Sequence, residues 1–191
     1  LTASDAAPYD NFGISVAIDG DTIVIGAYCR VDLCDKSGSA YVFRTSDGGA
    51  TYVEVAKLTA SDGAAGDYLG YSMAIDGDTI VAGAYGDDPG GSVYVFRTSD
   101  GGAKYGQVAK LTAADARSGD GFGCAVAIDG DTVVVGVHYD DDAGTSSGSA
   151  YVFRTDDGGA TYVEVAKLTA SDAASMAVSY THLRAHETRI H

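Results

Sequence analysis

The sequence predicts an all-β fold, a β-propeller fragment of three four-stranded antiparallel blades, and three observations carry that prediction. The first is composition: 26 glycines, 2 prolines, no tryptophan and 13 tyrosines, with Val, Ile and Thr frequent, favour many short strands joined by glycine turns. The second is a repeat. Leu-Thr-Ala begins at Leu1, Leu58, Leu111 and Leu168, at spacings of 57, 53 and 57 residues, and self-similarity at a period of this order signals solenoids and propellers. The third is the pattern inside each unit, where four strand signals follow one another and no 3.6-residue amphipathic period appears.

The units run 1–57, 58–110 and 111–167, with 168–177 opening a fourth. The stretch Gly38 to Asp62 matches Gly148 to Asp172 at every position but one, where Ser46 is replaced by Asp156. Duplication within one architecture explains such identity. In the first unit Ile14 to Ile18 leads into Asp19-Gly20, and Thr22 to Ala27 follows; Asp-Gly between two β-branched runs is a strong hairpin signal. After a loop of variable length come Ser39 to Arg44, the turn Ser46-Asp47-Gly48-Gly49, and Thr51 to Leu58. Glu54 and Lys57 interrupt the apolar residues of that last strand, which is therefore expected to be the most exposed, while the inner strands are expected to be sandwiched. Sandwiched inner strands and wetted outer ones are what a radial stack of blades requires. Three blades form an open arc rather than a closed ring.

The first hairpin of each unit carries Phe12-Gly13 with Gly26-Ala27-Tyr28, Leu69-Gly70 with Gly83-Ala84-Tyr85, and Phe122-Gly123 with Gly136-Val137-His138. This pairing resembles the FG-GAP repeat of integrin-type propellers, with Pro replaced each time. The resemblance covers residues 1 to about 175 and implies an extracellular or cell-surface binding or adhesion module. The second hairpin, with Thr45, Asp47, Gly49, Thr51 and Tyr52 in the first unit and Thr155, Asp157, Gly159, Thr161 and Tyr162 in the third, resembles the Asp-box of sialidase-like propellers. That likeness implies that Asp47, Asp100 and Asp157 tie down their own turns, as Asx chemistry also predicts.

Net charge is −15, and the scattered basic residues give no footprint for a nucleic-acid backbone or an anionic membrane. No apolar run is long enough to cross a bilayer, so membrane insertion is not expected. Strands alternate in direction within a blade, which places the inter-unit loops and the loops between second and third strands on one face. That face is acidic. It carries Asp5, Asp10, Asp62, Asp67, Asp115 and Asp120 from one loop set, and Asp32, Asp35, Asp87, Asp88, Asp140, Asp141 and Asp142 from the other. Variable loops on a repeated scaffold are where recognition concentrates, so a protein or glycan ligand is expected there.

Calcium takes six to eight oxygen ligands, and the candidates for it are Asp87, Asp88, Asp140, Asp141 and Asp142. The Asp-rich loop of calcium-binding FG-GAP repeats is absent here, since the first turn has shrunk to Ile18-Asp19-Gly20-Asp21. Beyond calcium, no cofactor is expected. Cys29 and Cys34 lie in one loop, where a local disulfide and two free thiols are both open; Cys124 falls in an apolar strand pattern.

Catalysis is not expected of these units. His138 is the one histidine within the repeats, so no Ser-His-Asp set and no His-rich metal set can assemble. Arg44, Arg97 and Arg154 occupy one repeated position and are expected to lie apart on the outer rim. The alternative is a secreted propeller enzyme whose catalytic residues stand in further blades of a longer chain, outside this fragment. From Val178 the composition changes abruptly, and Val178 to Thr188 resembles the translation of a sequencing adapter, so 178–191 is expected to be a non-native, irregular tail.

Overall fold

A computed structural model describes residues 1–28, 37–142 and 146–171. Cys29, Cys34, Asp32 and Asp35 lie outside the described residues, as do Asp172 and the tail. The described chain is all β. Blade 1 comprises β1 (Val16–Asp19), β2 (Thr22–Ala27), β3 (Ser39–Arg44) and β4 (Val53–Leu58). Blade 2 comprises β5 (Ser72–Asp76), β6 (Thr79–Ala84), β7 (Ser92–Arg97) and β8 (Gly106–Leu111). Blade 3 comprises β9 (Phe122–Asp129), β10 (Thr132–Val137), β11 (Ser149–Arg154) and β12 (Val163–Leu168). Each blade is one antiparallel sheet with its strands in chain order.

The Asp-Gly signal sets the register of each first hairpin. Asp19 pairs with Thr22 and Asp76 with Thr79, which leaves two-residue turns opening on Gly20 and Gly77 at φ 51° and 53°. That left-handed backbone favours glycine. Each third and fourth strand pair carries a bulge at the same place, after Val42, Val95 and Val152.

Burial follows the expected gradient except at the open end of the arc. The second and third strands hold the fully enclosed residues, among them Val24, Val42, Ile80, Val81, Val93 and Val95. The first strand of blade 1 is open instead, with Val16 and Ile18 each 64% exposed. The reason is geometric: β1 stands beside β5 and β5 beside β9, and no described strand packs on the outer side of β1.

Alternation along the strands gives the core two sheet-on-sheet interfaces, beside a third cluster within blade 1 formed by Ala3, Ile25, Ala27, Tyr41 and Phe43. Val24, Ala40, Val42 and Leu58 of blade 1 meet Leu69, Met73, Ile80 and Tyr94 of blade 2. Val81, Val93 and Val95 of blade 2 meet Phe122, Val133, Val135 and Tyr151 of blade 3.

The paired glycines stand at these junctions. The backbone carbonyl of Gly70 presses on Gly26, and that of Gly123 on Gly83, so closely that a Cβ on Gly26 or Gly83 would sit nearer the oxygen than real Cβ atoms approach. Ser15 Oγ donates to that Gly70 oxygen at 2.6 Å and Ser72 Oγ to the Gly123 oxygen at 2.7 Å. The backbone adds Leu69 N–H donating to Ser37 O at 2.9 Å and Phe122 N–H to Gly90 O at 2.8 Å. On the opposite edge, Gly77 N–H donates to Asp19 at 2.7 Å and Gly130 N–H to Asp76 at 2.6 Å. The turn aspartates thus clip successive blades together.

Arg44 and Arg97 do not stand idle on a rim. Arg44 donates from Nη1 to the carbonyl of Gly101 in the next blade, and the Arg97 guanidinium lies against Gly159. Arg154 is exposed.

Candidate functional site

The loop face is organised by one constellation repeated in every blade: a tyrosine from the third strand, a lysine from the fourth, and aspartates from the loops above them. The lysines that interrupt the last strand therefore have a place to go. In blade 1 Tyr41 O–H donates to Asp5 at 2.7 Å and Lys57 Nζ to the same carboxylate at 2.6 Å. Blade 2 adds a second acid, with Tyr94 O–H donating to Asp62 at 2.8 Å and Asp87 at 3.0 Å, and Lys110 Nζ lying 2.7 Å from each. In blade 3 Tyr151 O–H donates to Asp115 at 2.6 Å and Asp140 at 3.0 Å. Lys167 Nζ lies 2.7 Å from both and also pairs with Asp142.

Each ammonium sits over its tyrosine ring, 5.3, 5.2 and 5.0 Å from the centroid, within cation–π range. The titration shifts follow from this packing. Burial, followed by the Asp5 hydrogen bond, pushes the Tyr41 hydroxyl up to about 12. Burial opposes the charge on Lys167, but hydrogen bonds to Asp115, Asp140 and Asp142 outweigh it and raise the ammonium above its usual range. The Lys167 and Tyr151 hydrogen bonds lower Asp115 to about 2.

The calcium candidates consequently part ways. Asp87, Asp140 and Asp142 are held by lysine. Asp141 accepts from Ser146 N–H at 2.6 Å, and Asp88 accepts a long 3.4 Å bond from Ser118 Oγ. Among the described residues no group of three His, Cys, Asp or Glu side chains is arranged to hold a metal ion. Asp10, Asp67 and Asp120 each accept from the backbone N–H three residues earlier, at 2.6 to 2.7 Å.

On the opposite face Asp47, Asp100 and Asp157 bond their own turns. Asp47 accepts from Thr45 Oγ1 at 2.7 Å, Thr51 N–H at 2.9 Å and Thr51 Oγ1 at 2.6 Å, which holds its carboxyl at about 2. Asp157 repeats the arrangement; Asp100 accepts from Thr98 Oγ1, Ala103 N–H and Lys104 N–H. Because Lys104 supplies no hydroxyl, Asp100→Ala is expected to lower the melting temperature less than Asp47→Ala, with faster amide exchange confined to the altered turn; thermal melts and hydrogen exchange check it.

Two features of the loop face have no counterpart in the sequence reading. Tyr28, Tyr68, Tyr71 and Tyr85 form a closed ring of aromatic contacts, with centroids 4.3 to 5.7 Å apart. The signal for it was tyrosine at the end of the second strand in two units. Beside it lies a cleft of about 250 Å³ between blades 2 and 3, walled by Tyr85 and Tyr139 and edged by Asp87, Asp88 and Ser118. His138 packs on Tyr139 at 3.8 Å between centroids, and burial lowers its pKa. A second cleft, about 280 Å³, opens between the hairpin turns near Asp76, Arg97 and Tyr162.

Comparison with known proteins bears on the fold. The chain is similar over 85% of its length to Saccharomyces cerevisiae Sqt1, at 9% sequence identity and TM-score 0.54, covering 36% of that chain. It is similar over 78% of its length to a europium-containing methanol dehydrogenase, at 14% identity and TM-score 0.45, covering 23% of that chain. The chain thus spans about a third and about a quarter of these two proteins. No curated protein sequence matches it. The FG-GAP repeat model matches residues 1–43, 52–96 and 105–153, so the matches take in, unit by unit, Gly13 and Gly26, Gly70 and Gly83, and Gly123 and Gly136, and the two described junctions each join a glycine of one match to a glycine of the next. Spanning more than half of the sequence in three successive units, these matches show that the chain belongs to the FG-GAP repeat family.

Proposed function

We propose that the chain is a recognition module of an extracellular or cell-surface protein, and that it engages a protein or glycan through the acidic loop face. The observation that carries this reading is the cleft between blades 2 and 3. Most acids around it are taken up by lysines or backbone amides. Tyr139, 54% exposed, and the exposed Asp88 with its weak Ser118 contact remain available. A flat aromatic wall beside an open carboxylate and hydroxyl suits a sugar ring or a basic peptide side chain, because the ring stacks while the polar groups fix orientation.

The test is a screen of the chain against a glycan array and a basic-peptide array. Tyr139→Ala and Asp88→Asn are each expected to weaken any hit about tenfold or more, a loss of ~1.4 kcal/mol. Thr51→Ala on the opposite face is expected to leave it unchanged. Binding that survives both loop-face changes would sink the proposal.

Calcium enters this reading as a competitor for carboxylates that already hold an ammonium. Added calcium is expected to shift the melting temperature of the chain very little and that of Lys167→Met upward, since an ion bound to the folded state stabilises it by mass action. A large calcium shift in the unaltered chain would contradict the lysine reading.

A further inference from the structure

Building on the reading of the cleft between blades 2 and 3 as the recognition site, we propose that it takes one aromatic side chain of a partner protein, in the place where the junction of blades 1 and 2 holds tyrosines of its own. The opening lies inside a junction whose two blades are both described.

The two junctions are built from equivalent residues but filled differently. Tyr68 and Tyr71 flank Leu69-Gly70 as Gly121 and Cys124 flank Phe122-Gly123. Their backbones match: Tyr68 and Gly121 are both left-handed, at φ 59° and 75°, and Tyr71 N–H donates to Tyr68 O at 3.2 Å as Cys124 N–H does to Gly121 O at 3.1 Å. In the first junction Tyr28 of blade 1 meets Tyr68 and Tyr71 of blade 2 edge-on, at 5.7 and 5.4 Å between centroids, and Tyr85 packs behind them. In the second junction Tyr85 holds the position of Tyr28, but neither Gly121 nor Cys124 carries a ring to meet it. The cleft of about 250 Å³ is the space so vacated. Tyr139 leans into part of it and becomes a wall. That is open to Tyr139 because Gly121 has no side chain; at its equivalent in blade 2, Gly86, a Cβ would stand 2.7 Å from the Tyr68 ring.

The walls favour an aromatic ring over a sugar. Much of the lining is glycine backbone, and its hydrogen bonds are already made: Gly86 and Gly91 N–H donate to Asp67 O and Asp87 O, and Gly90 O accepts from Phe122 N–H. A sugar would give up water around several hydroxyls with few partners to replace it, which is costly, whereas an apolar ring gives up none and gains offset or edge contacts with Tyr85 and Tyr139. The volume falls below the ~300–1,000 Å³ of small-molecule sites, so one ring fits rather than a whole ligand. At the rim Asp87 is held by Lys110, while the exposed Asp88 can pair with a basic residue next to the aromatic one.

Titrating the full 191-residue chain with small probes, followed by the NMR signals of the cleft amides, tests the proposal. N-acetyl-Lys-Tyr-amide is expected to move the Gly86, Gly91 and Gly121 signals saturably, N-acetyl-Lys-Leu-amide to do so about tenfold more weakly, and methyl glucoside to leave them in place. Gly121→Tyr restores the ring that blade 2 carries and is expected to abolish the response. Its backbone suits the change, since Tyr68 holds the same conformation; the His138 ring, 2.8 Å from where the Cβ would stand, has to turn aside, and circular dichroism with a thermal melt establishes that the variant is folded. A folded variant that still binds the tyrosine dipeptide overturns the proposal. Independently of any variant, so does a leucine dipeptide or a glucoside that binds as well as the tyrosine dipeptide, an outcome under which the cleft keeps its recognition role with a different ligand. If none of the probes moves these amides the aromatic site is likewise refuted, and the recognition role then stands or falls on whether Tyr139→Ala weakens the array hits.

Discussion

Gly83→Ala is expected to be among the most damaging single changes in this chain. The added methyl would be driven into the backbone carbonyl of Gly123 in the next blade and against Ser72 Oγ. A carbonyl fixed in a packed junction cannot rotate aside as a flexible side chain does. Overpacking of this kind costs about 3 kcal/mol or more, a large share of the ~5–15 kcal/mol available to a domain. Gly106→Ala is the matched control, because nothing stands within 4 Å of the Cβ it would add and its φ is not in the left-handed region. Chemical denaturation of the two variants should separate them clearly. Equal stability would show that blades 2 and 3 do not meet at this glycine.

Lys167→Met is expected to cost about 1–2 kcal/mol, because it strands carboxylates that the ammonium neutralises. Asp140 matters most, since its side chain is 5% exposed and Asp115 and Asp142 are wetter at 42% and 37%. The same cluster sets an acid limit. Asp115 has its folded pKa depressed from 3.8 to about 2, so its contribution is present above 3.8 and is lost as pH falls through about 2. Lys167 has its pKa raised, so its share is complete below 10.5 and fails only as pH rises through the higher folded value. A stability profile from pH 5 to 2 should therefore fall for the unaltered chain and be flatter for Lys167→Met. Parallel profiles would show that the pair contributes nothing.

Much of the fold was legible in the sequence, because a repeat of strand signals punctuated by Asp-Gly turns admits few architectures. The acidic face was legible too, from strand alternation and loop position alone. The partners of its acids were not. Lys57, Lys110 and Lys167 read only as polar interruptions of an outer strand, and nothing in a single strand's pattern says that a lysine will fold back over a tyrosine toward a loop. Asp19, Asp76 and Arg44 were equally opaque: each belongs locally to a turn or a strand end, and its role depends on the neighbouring blade. The exposure of β1 follows from the open arc, which leaves an apolar face bare at its end, although apolar alternation alone reports that a strand has a packing face and not whether another strand lies against it.

The central claim is that the three sheets are stacked as blades across shared junctions rather than folded as separate units. Hydrogen exchange of the Leu69 and Phe122 amides tests it most directly, because their acceptors, Ser37 O and Gly90 O, belong to the preceding blade. The stacked arrangement predicts protection of the order seen for the strand amides of Val81 and Val95, which open only with the core. Exchange of Leu69 and Phe122 at the rate of unprotected loop amides would contradict it.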